Sequence, residues 1–174
     1  MYLVSLYFDE ESNKCLKKYI NLLCEKTGNT FMQDKNVPPH LTIAAFETKN
    51  EEAAREALGI CFKELSAGEI MWVSIGAFLP SVLYATPVVN EYLHGLSVKI
   101  IEALSEVEGV KLSPYYRPFQ WFPHTTLGKT LTPEEMSVGF NALQTQFVPL
   151  KGKVKKIGLA KANPYRDLIE MELS

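Results

Sequence analysis

Two short segments hold the side chains best suited to chemistry, Pro39-His40-Leu41-Thr42 and Pro123-His124-Thr125-Thr126. The chain has only three histidines, and two of them occupy the same setting: proline before, threonine two residues after. A neutral imidazole takes a proton and an imidazolium gives one near neutral pH, so two of them flanking one reacting group form an acid–base pair. The hydroxyls of Thr42 and Thr126 are suited to donating hydrogen bonds to phosphate oxygens.

Both segments must sit on elements that aim them. Side chains alternate along a strand, so His40 and Thr42 share one face while Leu41 and Ile43 take the other; His124 and Thr126 likewise oppose Thr125 and Leu127. The match continues downstream. Thr48 and Thr132 each stand eight residues past their histidine and Glu51 and Glu135 eleven past, a Thr-x-x-Glu spacing that reads as a helix-capping box. Pro133 at the first helical position strengthens the second case. Both halves therefore spell strand, short connection, capped helix. This points to an internal duplication whose halves pack about a pseudo-twofold axis, with the two His/Thr pairs facing across a cleft.

The remaining pattern supplies the frame. Alternating or continuous apolar runs predict strands at 2–8, 41–46, 68–79, 82–89, 124–129, around 150–161 and 165–172. Helical patterns cover about 10–26 (Asp9 as cap, Gly28 as stop), 49–66, 90–108 and 133–146. The order gives an α+β class: a bilobal, duplicated fold with an antiparallel sheet in each lobe, helices outside and a central cleft. No linker or low-complexity segment divides the chain, so one domain of two lobes with interleaved segments is expected over residues 1–174.

Composition bounds the partners. Net charge is −2, with no global basic field for long nucleic acid. The first 109 residues carry nine Lys/Arg against fifteen Asp/Glu and the rest nine against five, so an anionic substrate favours the second half. No apolar run reaches the ~20 residues of a membrane span. The N-terminal stretch MYLVSLYFDEE is too short and acidic for a signal peptide. Three scattered cysteines, Cys15, Cys24 and Cys61, point to reduced, buried thiols and a cytoplasmic location. No metal-ligand spacing, serine nucleophile elbow, phosphate-binding loop or dinucleotide fingerprint is present.

The paired motifs PHLTI and PHTTL resemble those of the 2H phosphoesterase superfamily, in its 2'-5' RNA ligase-like and cyclic phosphodiesterase branch; VLYATPVVNEYLHGL is similar to the strand and helix that the family places between its motifs, and WFPHTTLGK to the neighbourhood of its second motif. The resemblance implies cofactor-free and metal-independent cleavage of 2',3'-cyclic phosphates or 2'-5' phosphodiester bonds in RNA ends or small nucleotides, without DNA or membrane partners. It implies that His40 and His124 are acid and base, that Thr42 and Thr126 hold the phosphate, and that Lys129 stands where relatives carry a basic residue, often arginine. It puts Tyr84 where the family commonly has an aromatic in a cleft strand, a position that core packing explains equally well. Beside the second motif, Tyr115, Tyr116 and Trp121 are candidates for base stacking and Arg117 for a phosphate contact. Lys151, Lys153, Lys155 and Lys156 read as guards of an edge strand. His94, lacking both partners, is a surface or interface residue. Nothing demands more than a monomer. Two rivals remain, an RNA-binding module without turnover and a hydrolase using the histidines as metal ligands; ligation of 2'-5' ends is a further possibility within the family.

Overall fold

The computed structural model describes all 174 residues. The chain forms eight strands and five helices plus one 3-10 turn: β1 Tyr2–Phe8, α1 Glu10–Thr27, α2 Phe31–Asp34, β2 His40–Glu47, α3 Glu51–Lys63, β3 Gly68–Phe78, β4 Val82–Pro87, α4 Glu91–Ser105, β5 Lys111–Leu112, the turn Pro114–Tyr116, β6 Thr125–Gly128, α5 Pro133–Gln146, β7 Leu150–Ala162 and β8 Tyr165–Glu172. The expected α+β class is the one found. The elements absent from the sequence reading are α2 and β5, each too short to show a period.

All pairings are antiparallel, and the sheet runs β5-β2-β1-β7-β3-β4-β6 with β8 on the other part of β7. The path is nearly palindromic about the β7–β3 pair: β2-β1-β7 on one side answers β6-β4-β3 on the other. The register repeats as well. Thr42 lies opposite Ser5, which lies opposite Gly158; Thr126 lies opposite Tyr84, which lies opposite Gly76. Because the N-terminal part of β7 pairs with β3, the two halves share one continuous hydrogen-bonded sheet.

The helices cross over. Helix α1, which follows β1, packs against β6 and α5, while α4, which follows β4, packs against β2 and α3. Each half of the sheet is thus backed by one helix from each repeat. Leu41 and Ile43 face this helical side and are fully buried, as is Leu127 in the second motif, within one cluster of 33 core residues. Burying a leucine or isoleucine stabilises by about 1.5–3 kcal/mol, which is what holds the opposite residues, His40 and Thr42, outward.

Two sequence expectations need correction. Thr48 does not cap α3: its hydroxyl accepts from the Asn50 amide, and Asn50 caps the helix by accepting from Ala53 N–H. Asparagine is itself among the best caps, and Glu51 is held instead by Tyr2, Lys161 and Arg166. The second box, Thr132 with Glu135, is present as expected. Nor is β7 an edge strand; it pairs with β1, β3 and β8, and Lys155 is the extra residue of a bulge opposite Tyr7 and Phe8.

Thr125, on the core side of the second motif, is fully buried and accepts a hydrogen bond from Trp72 Nε1 at 3.1 Å. Thr125→Val leaves that N–H buried without a partner. It should cost about 1–3 kcal/mol in urea unfolding, whereas Thr126→Val on the open face should stay within about 0.5 kcal/mol of the parent.

Candidate active site

His40 begins β2 and His124 immediately precedes β6, both on the face away from the long helices. His40 Nδ1 lies 3.0 Å from the carbonyl oxygen of Pro38, and His124 Nδ1 lies 2.9 Å from that of Phe122. A carbonyl can only accept, so Nδ1 carries the hydrogen in both rings and each neutral imidazole has its lone pair on Nε2. The proline that precedes each histidine explains this contact. It confines the residue before it, Pro38 or Phe122, to extended conformations, and from there the carbonyl reaches the ring two residues on.

The rings share one electrostatic neighbourhood. Burial is the main cause that holds the His40 pKa below its usual 6.5, and the positive charges of His124 and Lys129 push the same way. His124 is also lowered, again by burial. The carbonyl bonds oppose both shifts. Lys129 is therefore close enough to His40 for its charge to matter. Thr42 Oγ1 sits 3.4 Å from Ser5 Oγ, and both Thr42 and Thr126 are half-buried on the histidine face.

The walls of the site differ. Beside His124 stands an aromatic shelf: Phe78 at 4.7 Å and Tyr84 at 5.7 Å between ring centroids, with Phe122 5.6 Å from Tyr84 and 6.0 Å from Phe78. Phe78 and Phe122 remain 39% and 50% exposed. Gly76 makes room for this arrangement, since a Cβ there would lie 2.6 Å from the Tyr84 hydroxyl oxygen. Beside His40 stands Tyr7, 6.1 Å away, with Lys156 Nζ over its ring at 5.4 Å.

Of the candidates read from sequence, the structure brings together His40, His124, Lys129 and Tyr84, with Thr42 and Thr126 on the same face. It separates others. Trp121 is 6% exposed and belongs to the core, and Tyr116 packs against that core. Tyr115 is 79% exposed and no histidine lies in ring contact with it. Arg117 is exposed, and its backbone carbonyl closes the turn to Gln120 and Trp121. The aromatics that do line the site are Phe122, which belongs to the same aromatic loop as the stacking candidates, and Phe78 and Tyr7, which lie outside it. Alternation could have found two of them: Phe122 is two residues before His124, and Tyr7 shares the Ser5 face of β1. Phe78 becomes visible only through the β3–β4 register. His94 lies on α4 against Phe119, away from the motif histidines. The three cysteines are free, but half-buried where full burial was expected.

Nowhere do three or more His, Cys, Asp or Glu side chains converge as a metal site requires, and no helix is long and apolar enough to cross a membrane.

This geometry can be set beside known proteins. The model of the 2'-5' RNA ligase superfamily matches residues 25–165, spanning both histidine motifs. The chain belongs to that superfamily. The 2H phosphoesterase resemblance of the motifs is thereby established, and membership brings a phosphodiesterase- or ligase-type activity. Similar folds include Escherichia coli LigT complexed with 3'-AMP, at 15% identity and a TM-score of 0.63 over 99% of this chain and 97% of that one. The protein TT0787 of Thermus thermophilus matches at 19% identity and a TM-score of 0.59, over 99% and 97%. A crystal structure described only as a phosphoesterase matches at 14% identity and a TM-score of 0.58, over 99% and 98%. No curated protein matches the chain.

In a histidine-edited NMR titration of the free protein, His40 and His124 should both show the Nδ1-protonated neutral form and midpoints below 6.5. A midpoint above 6.5 for either would contradict the burial that the fold imposes.

Proposed function

We propose that the chain, acting as one two-lobed domain, is a phosphodiesterase that hydrolyses 2',3'-cyclic phosphate or 2'-5' phosphodiester bonds of RNA ends or small nucleotides by two-histidine acid–base catalysis without a metal. The observation that carries this reading is the matched pair of Nδ1–carbonyl hydrogen bonds, which leaves both Nε2 atoms for proton transfer.

In the hydrolytic step one Nε2 lone pair removes a proton from water as its oxygen attacks phosphorus. The bond from phosphorus to one ribose oxygen breaks, and the second ring, entering as imidazolium, gives its Nε2 proton to that oxygen. Water is consumed, one P–O bond forms and one breaks, and the rings exchange protonation states. The charge pattern favours His40 as base, because Lys129 as well as His124 disfavours a proton there. Thr42, Thr126 and Lys129 hold the non-bridging oxygens, where preorganised donors act most strongly on developing charge. Phe78 and Phe122, backed by the buried Tyr84, support a nucleoside ligand by offering exposed faces for a base. Tyr115 and Arg117, exposed beyond the shelf, are left for a longer substrate.

The test is turnover of a short RNA ending in a 2',3'-cyclic phosphate, with EDTA present. His40→Ala and His124→Ala should each lower kcat by about 10²- to 10⁴-fold, and Thr42→Val or Thr126→Val by about 10- to 10³-fold. A substrate with sulfur at the departing position needs no acid, so it should restore His124→Ala but not His40→Ala. Absence of turnover with binding retained would favour a binding module, and loss of activity to EDTA would favour a metallohydrolase.

The pH profile follows from the lowered pKa values. A depressed pKa means the proton leaves at lower pH, so at pH 8 both rings are neutral and the acid is missing. The singly protonated pair, whose two apparent pKa values belong to the pair, peaks below 6.5. kcat/KM of the parent should therefore have its optimum below 6.5 and fall about tenfold per pH unit well above it.

A further inference from the structure

The site is built on a pseudo-twofold, and the places where the two sides differ indicate how a substrate lies in it. The histidines, threonines and carbonyl contacts repeat; the strands flanking them do not. On the His124 side the neighbours are Phe78 and Phe122, half-exposed and without charge, packed over the buried Tyr84. On the His40 side the sheet continues through Tyr7 and β7 to β8, which has no counterpart in the other half.

The register of β7 with β8 decides what that extra strand presents. Lys156, Gly158 and Ala160, on the Tyr7 face, lie opposite Glu172, Glu170 and Asp167 in turn, and Ala162 lies opposite Tyr165. Three carboxylates and a phenol thus extend the face beyond Tyr7, against one lysine. That lysine is ion-paired with one of them, its Nζ 3.3 Å from Glu170 Oε2, which leaves the face with a net charge of two negatives. Tyr165 donates to Asp167 Oδ1 at 2.7 Å. Burial is the main cause that raises the Tyr7 pKa; a hydrogen bond with Tyr165 opposes the rise, and the negative charges of Asp167 and Glu170 add to it. Tyr7 in turn stands 6.1 Å from the His40 ring.

We propose, building on the phosphodiesterase reading, that this chain acts on small nucleotides rather than on RNA ends. The base lies on the Phe78/Phe122 shelf, the scissile phosphate sits between the histidines, and the β8 rim turns away any substrate whose remainder carries further phosphates. A nucleoside 2',3'-cyclic phosphate fits, because its one phosphate is consumed at the histidines and nothing anionic is left to meet the rim. An oligonucleotide repeats a negative charge at every residue and has to run one of them past Glu170 and Asp167. Like charges facing each other at such range oppose association and are relieved by salt.

The experiment compares adenosine 2',3'-cyclic phosphate with an oligoadenylate decamer bearing the same cyclic end. kcat/KM is measured for the parent, Asp167→Asn/Glu170→Gln and Phe122→Ala. The parent should prefer the mononucleotide by about tenfold, and the double variant should narrow that preference about fivefold, the size expected for relieving two screened charge contacts. Raising salt should increase the decamer's kcat/KM in the parent, opposite to the fall usual for nucleic-acid binding. Phe122→Ala should weaken both substrates alike.

A decamer handled as well as the mononucleotide, or a preference untouched by the double variant, overturns the proposal. Binding of the same two ligands to His40→Ala/His124→Ala, measured by calorimetry, keeps the two readings apart. If the parent turns over neither ligand but this variant binds the mononucleotide in preference, the hydrolytic reading fails and the substrate class stands. If turnover depends on both histidines but the decamer binds equally or better, the substrate class fails alone.

Discussion

Everything in the site depends on one short hydrogen bond made twice, from an imidazole Nδ1–H to the carbonyl two residues earlier. It selects the tautomer, orients the ring and leaves a basic nitrogen on the open face. The bond is local, so its requirements are local too. A proline before the histidine holds the carbonyl-bearing residue extended, and a strand starting at the histidine or just after it keeps ring and threonine on one face. The apolar residues between them anchor the strand from behind: Leu41 and Ile43 in one repeat, Leu127 in the other, with Thr125 tied to the Trp72 indole. A change behind the sheet therefore reaches the chemistry through strand position, without touching a substrate.

Much of this was legible before the fold was seen, for physical reasons. Element types follow from periodicity, and α5 begins at Pro133 because a proline and a capping box fix its first turn. The histidine pairs were legible because alternation needs only two residues of spacing. The first capping box was misread because two caps compete within three residues, and the one nearer the helix prevailed once Glu51 had Tyr2, Lys161 and Arg166 to hold it. Aromatic assignments failed for another reason. Whether Phe78 faces solvent is decided by register between distant strands, of which composition carries no trace, and Trp121 sits in a loop whose packing no periodicity marks.

The same limit hid the lysines' setting. A run of alternating lysines looks like an exposed edge, yet β7 lies inside the sheet, its lysines divided by a bulge so that Lys156 turns toward Tyr7 and Lys155 away. A single extra residue in a strand was enough to move one positive charge to the neighbourhood of a histidine. The two halves are alike in their histidines, threonines and carbonyl contacts, and such small departures make them unlike in what surrounds these.

The crossing of α1 and α4 bears on how such a molecule could arise. A chain containing one repeat would lack the helix that covers the far side of its own sheet. It could bury that face only by lending its helix to a second copy and borrowing the other's in return, a reciprocal exchange. The resulting homodimer would hold one histidine from each subunit across its symmetry axis. Fusion of the two genes would then free each half to change its surroundings independently, which a symmetric dimer, with every substitution made twice, cannot do.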